Sequence, residues 1–122
     1  MARHNDFGKW GEDIAANYML EHGFEILERN WRHGRMEIDI IAQKEGVLYF
    51  VEVKSRHGEI WNAEEAVTTK KRVLMQRAMI AWKLQHPSMM PVCFPAIAVV
   101  KNDPDSPPEI RWHDNIWDLN YK

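Results

Sequence analysis

Hydrophobic and polar positions along the chain alternate between two periods, one helical and one of strand type. Phe7, Trp10, Ile14 and Tyr18 recur at helical spacing, Asp6 stands where a cap would, and Gly23 closes the pattern. This predicts an opening helix that starts near Phe7. Phe24 to Trp31 predicts a first strand, ending in the polar run Arg32-His33-Gly34-Arg35. Met36 to Ala42 and Val47 to Lys54 are short and rich in β-branched and aromatic residues, and the polar connector Gln43-Lys44-Glu45-Gly46 joins them. They predict one β-hairpin, beside which the first strand runs. Trp61 to Gln85 reads largely as helix, beginning between Asn62 and Thr69 and stopping before Pro87, with Val67, Leu74, Ala78 and Ala81 as its core stripe. Pro91 to Val100 is a further apolar strand, in which Pro95 implies a sheet edge or a bulge. Asn102 to Pro108 is a proline-rich loop, and Glu109 to His113 returns as a short edge strand.

The predicted hairpin carries charges inside otherwise core-like strands: Glu37 and Asp39 in one arm, Glu52 and Lys54 in the other. Side chains two apart in a strand share a face, roughly 6 to 7 Å from one another. A turn centred between Lys44 and Glu45 sets Asp39 opposite Phe50 and Glu37 opposite Glu52, with Glu37, Asp39, Glu52 and Lys54 on one side. A slip of one residue separates the two arms' charges. Carboxylates crowded on one face repel and call for a cation, and Mg²⁺ commonly takes one or two carboxylates plus waters and phosphate oxygens. Asp39 and Glu52 are the candidate ligands, with Lys54 beside the ion. The plainer reading is that a Glu-x-Lys pair keeps an edge strand from aggregating.

Four runs in chain order carry a resemblance: Gly8-Lys9-Trp10-Gly11-Glu12, Leu27-Glu28-Arg29-Asn30-Trp31-Arg32, Glu37-Ile38-Asp39-Ile40-Ile41-Ala42, and Phe50-Val51-Glu52-Val53-Lys54-Ser55-Arg56. From about Gly8 to Val100 the chain resembles the YraN-like family of small bacterial proteins. That family is similar to the restriction-endonuclease-like PD-(D/E)XK nucleases and, among them, to archaeal Holliday-junction resolvases. The resemblance implies an α/β fold with a restriction-endonuclease-like core, a central mixed β-sheet flanked by helices. It implies a Mg²⁺ or Mn²⁺ site at Asp39 and Glu52, completed by the Val53 carbonyl, and a catalytic lysine at Lys54. It also brings in Glu12, an acid, as a fourth active-site residue; the other reading of Glu12 is a first-turn glutamate favoured by the helix dipole. The chain departs from the family pattern at Met36, Trp61-Asn62 and Pro95, none of them a proposed side-chain ligand.

Composition narrows the field. The 122 residues, 45% hydrophobic, suit one domain spanning residues 1–122. A lone cysteine, Cys93, rules out an internal disulfide framework and suits a small buried hydrophobe in a reducing compartment. No apolar stretch opens the chain or approaches the length of a membrane span, so we expect a soluble, unprocessed cytoplasmic protein. The six histidines include no i, i+4 pair, and neither a glycine-rich phosphate loop nor a nucleophile elbow is present, which sets aside zinc, nucleotide-triphosphatase and serine-hydrolase chemistry.

A formal net charge of -2 argues against a simple nucleic-acid binder. From Lys54 to Lys83, however, seven bases stand against three acids. Arg56, Lys70 and Lys71 are the candidate DNA-backbone contacts, the two lysines near a helix start whose N–H groups can meet phosphate. A solvated helix face is the alternative for this run. Trp31 and Trp61 flank the site and suit either base stacking or core packing. The expectation is a metal-dependent endonuclease for DNA, branched or otherwise structured, acting as a homodimer. The competing expectations are a noncatalytic nucleic-acid-binding protein on a nuclease fold, and a subunit active only within a complex.

Overall fold

The computed structural model describes residues 2–58 and 69–114. Its elements run α1 (Ala2–Glu21), β1 (Glu25–His33), β2 (Met36–Lys44), β3 (Val47–His57), α2 (Thr69–Gln85), β4 (Val92–Cys93), β5 (Ala96–Lys101) and β6 (Glu109–His113). The six strands form one mixed sheet in the order β1-β2-β3-β5-β6, with β4 also on β3. β1, β2 and β3 form an antiparallel meander, β5 lies parallel to β3, and β6 returns antiparallel as the edge. The parallel pairing needs a crossover, and α2 lies within it.

Each face of the sheet has its own core and its own helix. Ala15, Ala16 and Met19 of α1 pack on Ile40, Ala42, Val51, Ile97 and Val99. On the other face Met75, Ala78 and Trp82 of α2 pack on Ile38, Ile41, Leu48, Phe50 and Ala96. β5 is buried on both faces, which explains its unbroken apolar run. Over its described residues the chain is thus a mixed α/β protein whose open six-stranded sheet is flanked by two helices. Among the described residues no helix is long and apolar enough to cross a membrane.

Several boundaries move from expectation. α1 starts at Ala2, so Asp6 lies inside the helix rather than capping it, and Glu12 is mid-helix rather than in the first turn. The helix dipole therefore gives no account of Glu12. The expected stop holds: Gly23 is left-handed at φ 88°, and the Phe24 N–H donates to the Met19 carbonyl at 3.0 Å, closing the last turn. The buried stripe is turned from the expected one, since Trp10, Ile14 and Tyr18 are only partly buried beside Ala15, Ala16 and Met19. In α2 the buried set is Met75, Ala78 and Trp82, with Leu74 partly buried, and Ala81 is only half-buried. The expected helix start, Val67 and Trp61 lie outside the described residues.

Pro95 does not mark a bulge: Leu48 pairs with Val92 and Glu52 with Ala96, the same offset on both sides of Phe94-Pro95, so β4 and β5 follow one line along β3, interrupted there. Among the described residues β6 pairs only from Ala96 onward, so Pro95 stands where the outer side of that line loses its partner. Prolines lack the N–H but keep the carbonyl, and both are used: the Leu48 N–H donates to Pro91 at 2.9 Å and the Glu52 N–H to Pro95 at 3.1 Å.

At Gly11, α1 lies close against β3. A methyl group there would lie 1.9 Å from Ser55 Oγ and 3.1 Å from its Cβ. Ser55 Oγ itself donates to the Phe7 carbonyl at 3.1 Å, so hydroxyl and glycine fit as a pair. We expect Gly11→Ala to destabilise the protein by about 1–3 kcal/mol through overpacking. Adding Ser55→Ala should recover part of that loss, so that urea denaturation of the two single variants and the double shows a favourable, non-additive coupling.

Candidate functional site

The site begins with the hairpin turn. Glu45 and Gly46 both take positive φ, 51° and 80°, the two-residue turn whose twist matches a hairpin. Lys44 therefore faces Val47, and Ile40 faces Val51. The centre lies between Glu45 and Gly46, two places in register from the expected one, so continuing the ladder sets Asp39, not Glu37, opposite Glu52. The ladder ends at the Ile40–Val51 pair. Beyond it the strands part, and the Val53 N–H donates to Asp39 Oδ2 at 2.7 Å in place of a β2 carbonyl. In a strand a residue's N–H and C=O project to the same edge. The Val53 carbonyl thus faces the same gap as Asp39.

β2 also rolls over at this point. Ile40 and Ala42 pack on the α1 side, whereas Met36 and Ile38 pack on the α2 side. Residues of equal parity on opposite faces mean that the strand turns between Ile38 and Ile40. Glu37 then points away from the α2 side, where Arg32 meets it at 3.8 Å. The expectation that Glu37, Asp39, Glu52 and Lys54 share one side is corrected: Glu52 and Lys54 take the α2 side, Asp39 sits in the gap, and Glu37 takes the other side.

Glu52 is 6% exposed, the one buried charged residue among those described. Two ammonium groups hold the same oxygen, Oε2: Lys54 Nζ at 3.1 Å and Lys71 Nζ at 2.5 Å. Lys71 was expected to reach a DNA backbone; its position beside Glu52 makes it a second lysine of the site. Lys70, its neighbour at the start of α2, is exposed. Arg56, further along β3, donates from Nη1 to the Ser55 carbonyl at 2.9 Å.

Glu12 arrives from the α1 side. Gly11 seats the helix on Ser55, and Glu12 Oε1 accepts from Asn30 Nδ2 at 2.8 Å, with Arg29 Nη2 at 3.7 Å. Asn30 has φ 54°, a left-handed conformation that asparagine tolerates better than most residues. Asn30 is a site residue that pattern reading passed over, and Lys71 is one that it named for a DNA backbone rather than for Glu52. An asparagine within a strand is a signal for the first; the second has no local signal, because it depends on how α2 crosses the sheet. Trp31 packs partly buried against the α2-side core, which supports its packing role. Burial also pushes the Cys93 thiol up from its ordinary value, consistent with an inert apolar role.

The electrostatics converge on Asp39. Burial, then the Glu52 charge, push its carboxyl up to about 8, with Glu12 and Glu37 adding to the rise and the Val53 N–H opposing it. Three carboxylates from three strands or helices thus act on a fourth. Among the described residues no three histidine, cysteine, aspartate or glutamate side chains group closely enough to hold a metal ion by themselves. The donor chemistry nevertheless fits a hard divalent cation: two mutually repelling carboxylates, Asp39 and Glu52, beside a gap faced by the Val53 carbonyl, with remaining positions left to water. A cavity of about 350 Å³ lined by Tyr18, Phe24, Tyr49 and Trp112 lies at the other end of the hairpin, against Glu45, and includes none of these residues.

Because Asp39 ionises near 3.8 when unfolded and at about 8 when folded, the folded protein holds a proton that the unfolded chain has lost across that window. The stability this represents is complete below the lower value and is lost as pH rises through the upper one. Asp39→Asn keeps an acceptor for Val53 and removes the charge. We expect it to be more stable than wild type, with the advantage growing by up to about 1.4 kcal/mol per pH unit between about pH 4 and 8, as read by urea denaturation.

Residues 11–99 match the family model described as "Uncharacterised protein family UPF0102". A UPF0102 protein of Bacteroides thetaiotaomicron is 44% identical over 82% of this chain and 84% of its own length. One from Flavobacterium psychrophilum is 39% identical over 83% of this chain and 86% of its own. One from Porphyromonas gingivalis is 37% identical over 100% of this chain and 91% of its own. The match covers α1 from Gly11, the hairpin and α2, and so every residue of the site just described. The chain therefore belongs to the UPF0102, or YraN-like, family.

Proposed function

We propose that this protein is a metal-dependent endonuclease that hydrolyses phosphodiester bonds in DNA, built on a restriction-endonuclease-like core. The observation that carries this reading is the parting of β2 and β3 at Asp39, which gathers Asp39, Glu52 and Lys54 at the mouth of one gap. Asp39, Glu52 and the Val53 carbonyl are the groups that would hold Mg²⁺ or Mn²⁺. Such an ion supplies charge stabilisation at the phosphoryl oxygen and a bound water of lowered pKa.

The remaining work falls to the chain. Water attacks phosphorus in line, the bond to the leaving oxygen breaks, and that oxygen takes up a proton. Lys54 Nζ orients the water or stabilises the charge that develops on the phosphate. Glu12, fixed by Asn30, supports the acidic side of the gap from α1. Lys70 and Arg56 meet backbone phosphates further out.

Branched or structured DNA is the substrate favoured by the likeness to junction resolvases, with a homodimer bringing one site to each strand. Val73, Ile80 and Leu84, which lie along one side of α2 and are exposed, offer an apolar stripe for such pairing. The second reading is a protein that binds nucleic acid without cutting it or cuts only within a complex; the formal net charge of -2, which disfavours DNA binding by the chain alone, speaks for the complex.

Cleavage of labelled branched, single-stranded and duplex DNA with Mg²⁺ or Mn²⁺ tests the proposal. We expect metal-dependent cleavage by wild type, reduced at least about 100-fold in Glu52→Ala and Lys54→Ala, the scale on which loss of a charge-stabilising group acts. Folded protein that binds DNA but cuts none of these substrates would overturn the enzyme reading in favour of the second.

A further inference from the structure

We propose that Lys71 is a built-in competitor for the metal position, an ammonium that occupies Glu52 until a divalent cation displaces it. This rests on the reading of Asp39 and Glu52 as metal ligands. One carboxylate needs one counter-charge, and Lys54, two residues along the same strand, already supplies it at 3.1 Å from Glu52 Oε2. Lys71 brings a second ammonium to that same oxygen at 2.5 Å, from a different element. Neutralising Glu52 does not require both.

The two lysines are held differently. Lys54 is tethered beside Glu52 on β3, so its reach changes little. Lys71 extends from the first turn of α2, and its side chain is 29% exposed against 8% for that of Glu52. Its ammonium thus reaches a buried acid from a side chain that is itself partly open to water. A divalent ion and an ammonium cannot take the same lone pairs of Oε2, and at such separation they repel strongly. Binding of the ion must swing Lys71 outward.

Outward is also toward solvent, where a backbone phosphate would arrive. Lys71 then passes from a carboxylate to a phosphate as the ion enters, and the two binding events assist one another. Apparent affinity for the ion falls with the share of molecules in which Lys71 already holds Glu52. A contact present nine-tenths of the time weakens it about tenfold.

The test is Mn²⁺ binding without DNA, followed by electron paramagnetic resonance of the unbound ion, with circular dichroism to confirm the fold. Wild type is compared with Lys71→Gln, Lys71→Met, Lys71→Arg and Glu52→Gln. Lys71→Met keeps the packing of the side-chain stem and adds no new polar group. We expect Lys71→Gln and Lys71→Met to bind Mn²⁺ on the order of tenfold more tightly, Lys71→Arg no more tightly than wild type, and Glu52→Gln to lose binding. Wild-type binding that is unchanged or weakened in both neutral variants overturns the competitor role while leaving the metal site standing. Equal tightening in Lys71→Arg also overturns it, since charge would not be the cause. Absence of Mn²⁺ binding in wild type and neutral variants alike overturns both the competitor role and the metal site beneath it.

Discussion

When two strands separate inside a sheet, the backbone groups that faced one another must find other partners or remain unpaired at some cost. Here the partner is a side chain. The Asp39 carboxyl takes the Val53 N–H at 2.7 Å just past the last ladder pair of the hairpin. That one hydrogen bond gives the Val53 N–H a partner where the sheet opens, and it fixes an acid in the opening. Glu52 is then buried one place before Val53, Lys54 follows one place after, and α1 is seated on Ser55 next along the strand. The chemistry of the site is organised around four consecutive residues of β3 and the acid that keeps β2 away from them.

The arrangement places opposed demands on the same groups. Asp39 carries a raised affinity for its proton because desolvation and the charges of Glu52, Glu12 and Glu37 act on it, while Glu52 is held by two ammonium groups. A desolvated acid among like charges is more stable neutral than charged. Keeping these acids together thus costs folding stability at neutral pH, as expected where side chains are placed for chemistry rather than for packing.

Much of the architecture was legible because burial leaves plain marks. The unbroken apolar run of β5 marks an interior strand, Gly23 marks a helix end, and Glu109–His113 reads as an edge. The acids and lysine of the hairpin were legible as charges that a core strand has no reason to carry. What escaped depends on conformations that residue type does not announce. Glu45 adopts φ 51° without being glycine or asparagine, so the expected turn centre lay one residue off and the expected pairing two residues off. The roll of β2 between Ile38 and Ile40 breaks the alternation that assigned Glu37 to the wrong side. Lys71 reaches Glu52 across 19 positions of sequence, a meeting that only the packing of α2 decides.

The two-residue turn at Glu45-Gly46 has a role that its distance from Asp39 conceals. It works as a ruler. Because the hairpin is measured from that end, each residue added there would slide Asp39 along β3 by a step, bringing a different N–H to its carboxyl or none. Length variation would be absorbed more readily at the Gly34-Arg35 turn, which lies at the open end, or in the loop between β5 and β6. The spacing between acid and lysine is therefore set at a point of the molecule that touches neither.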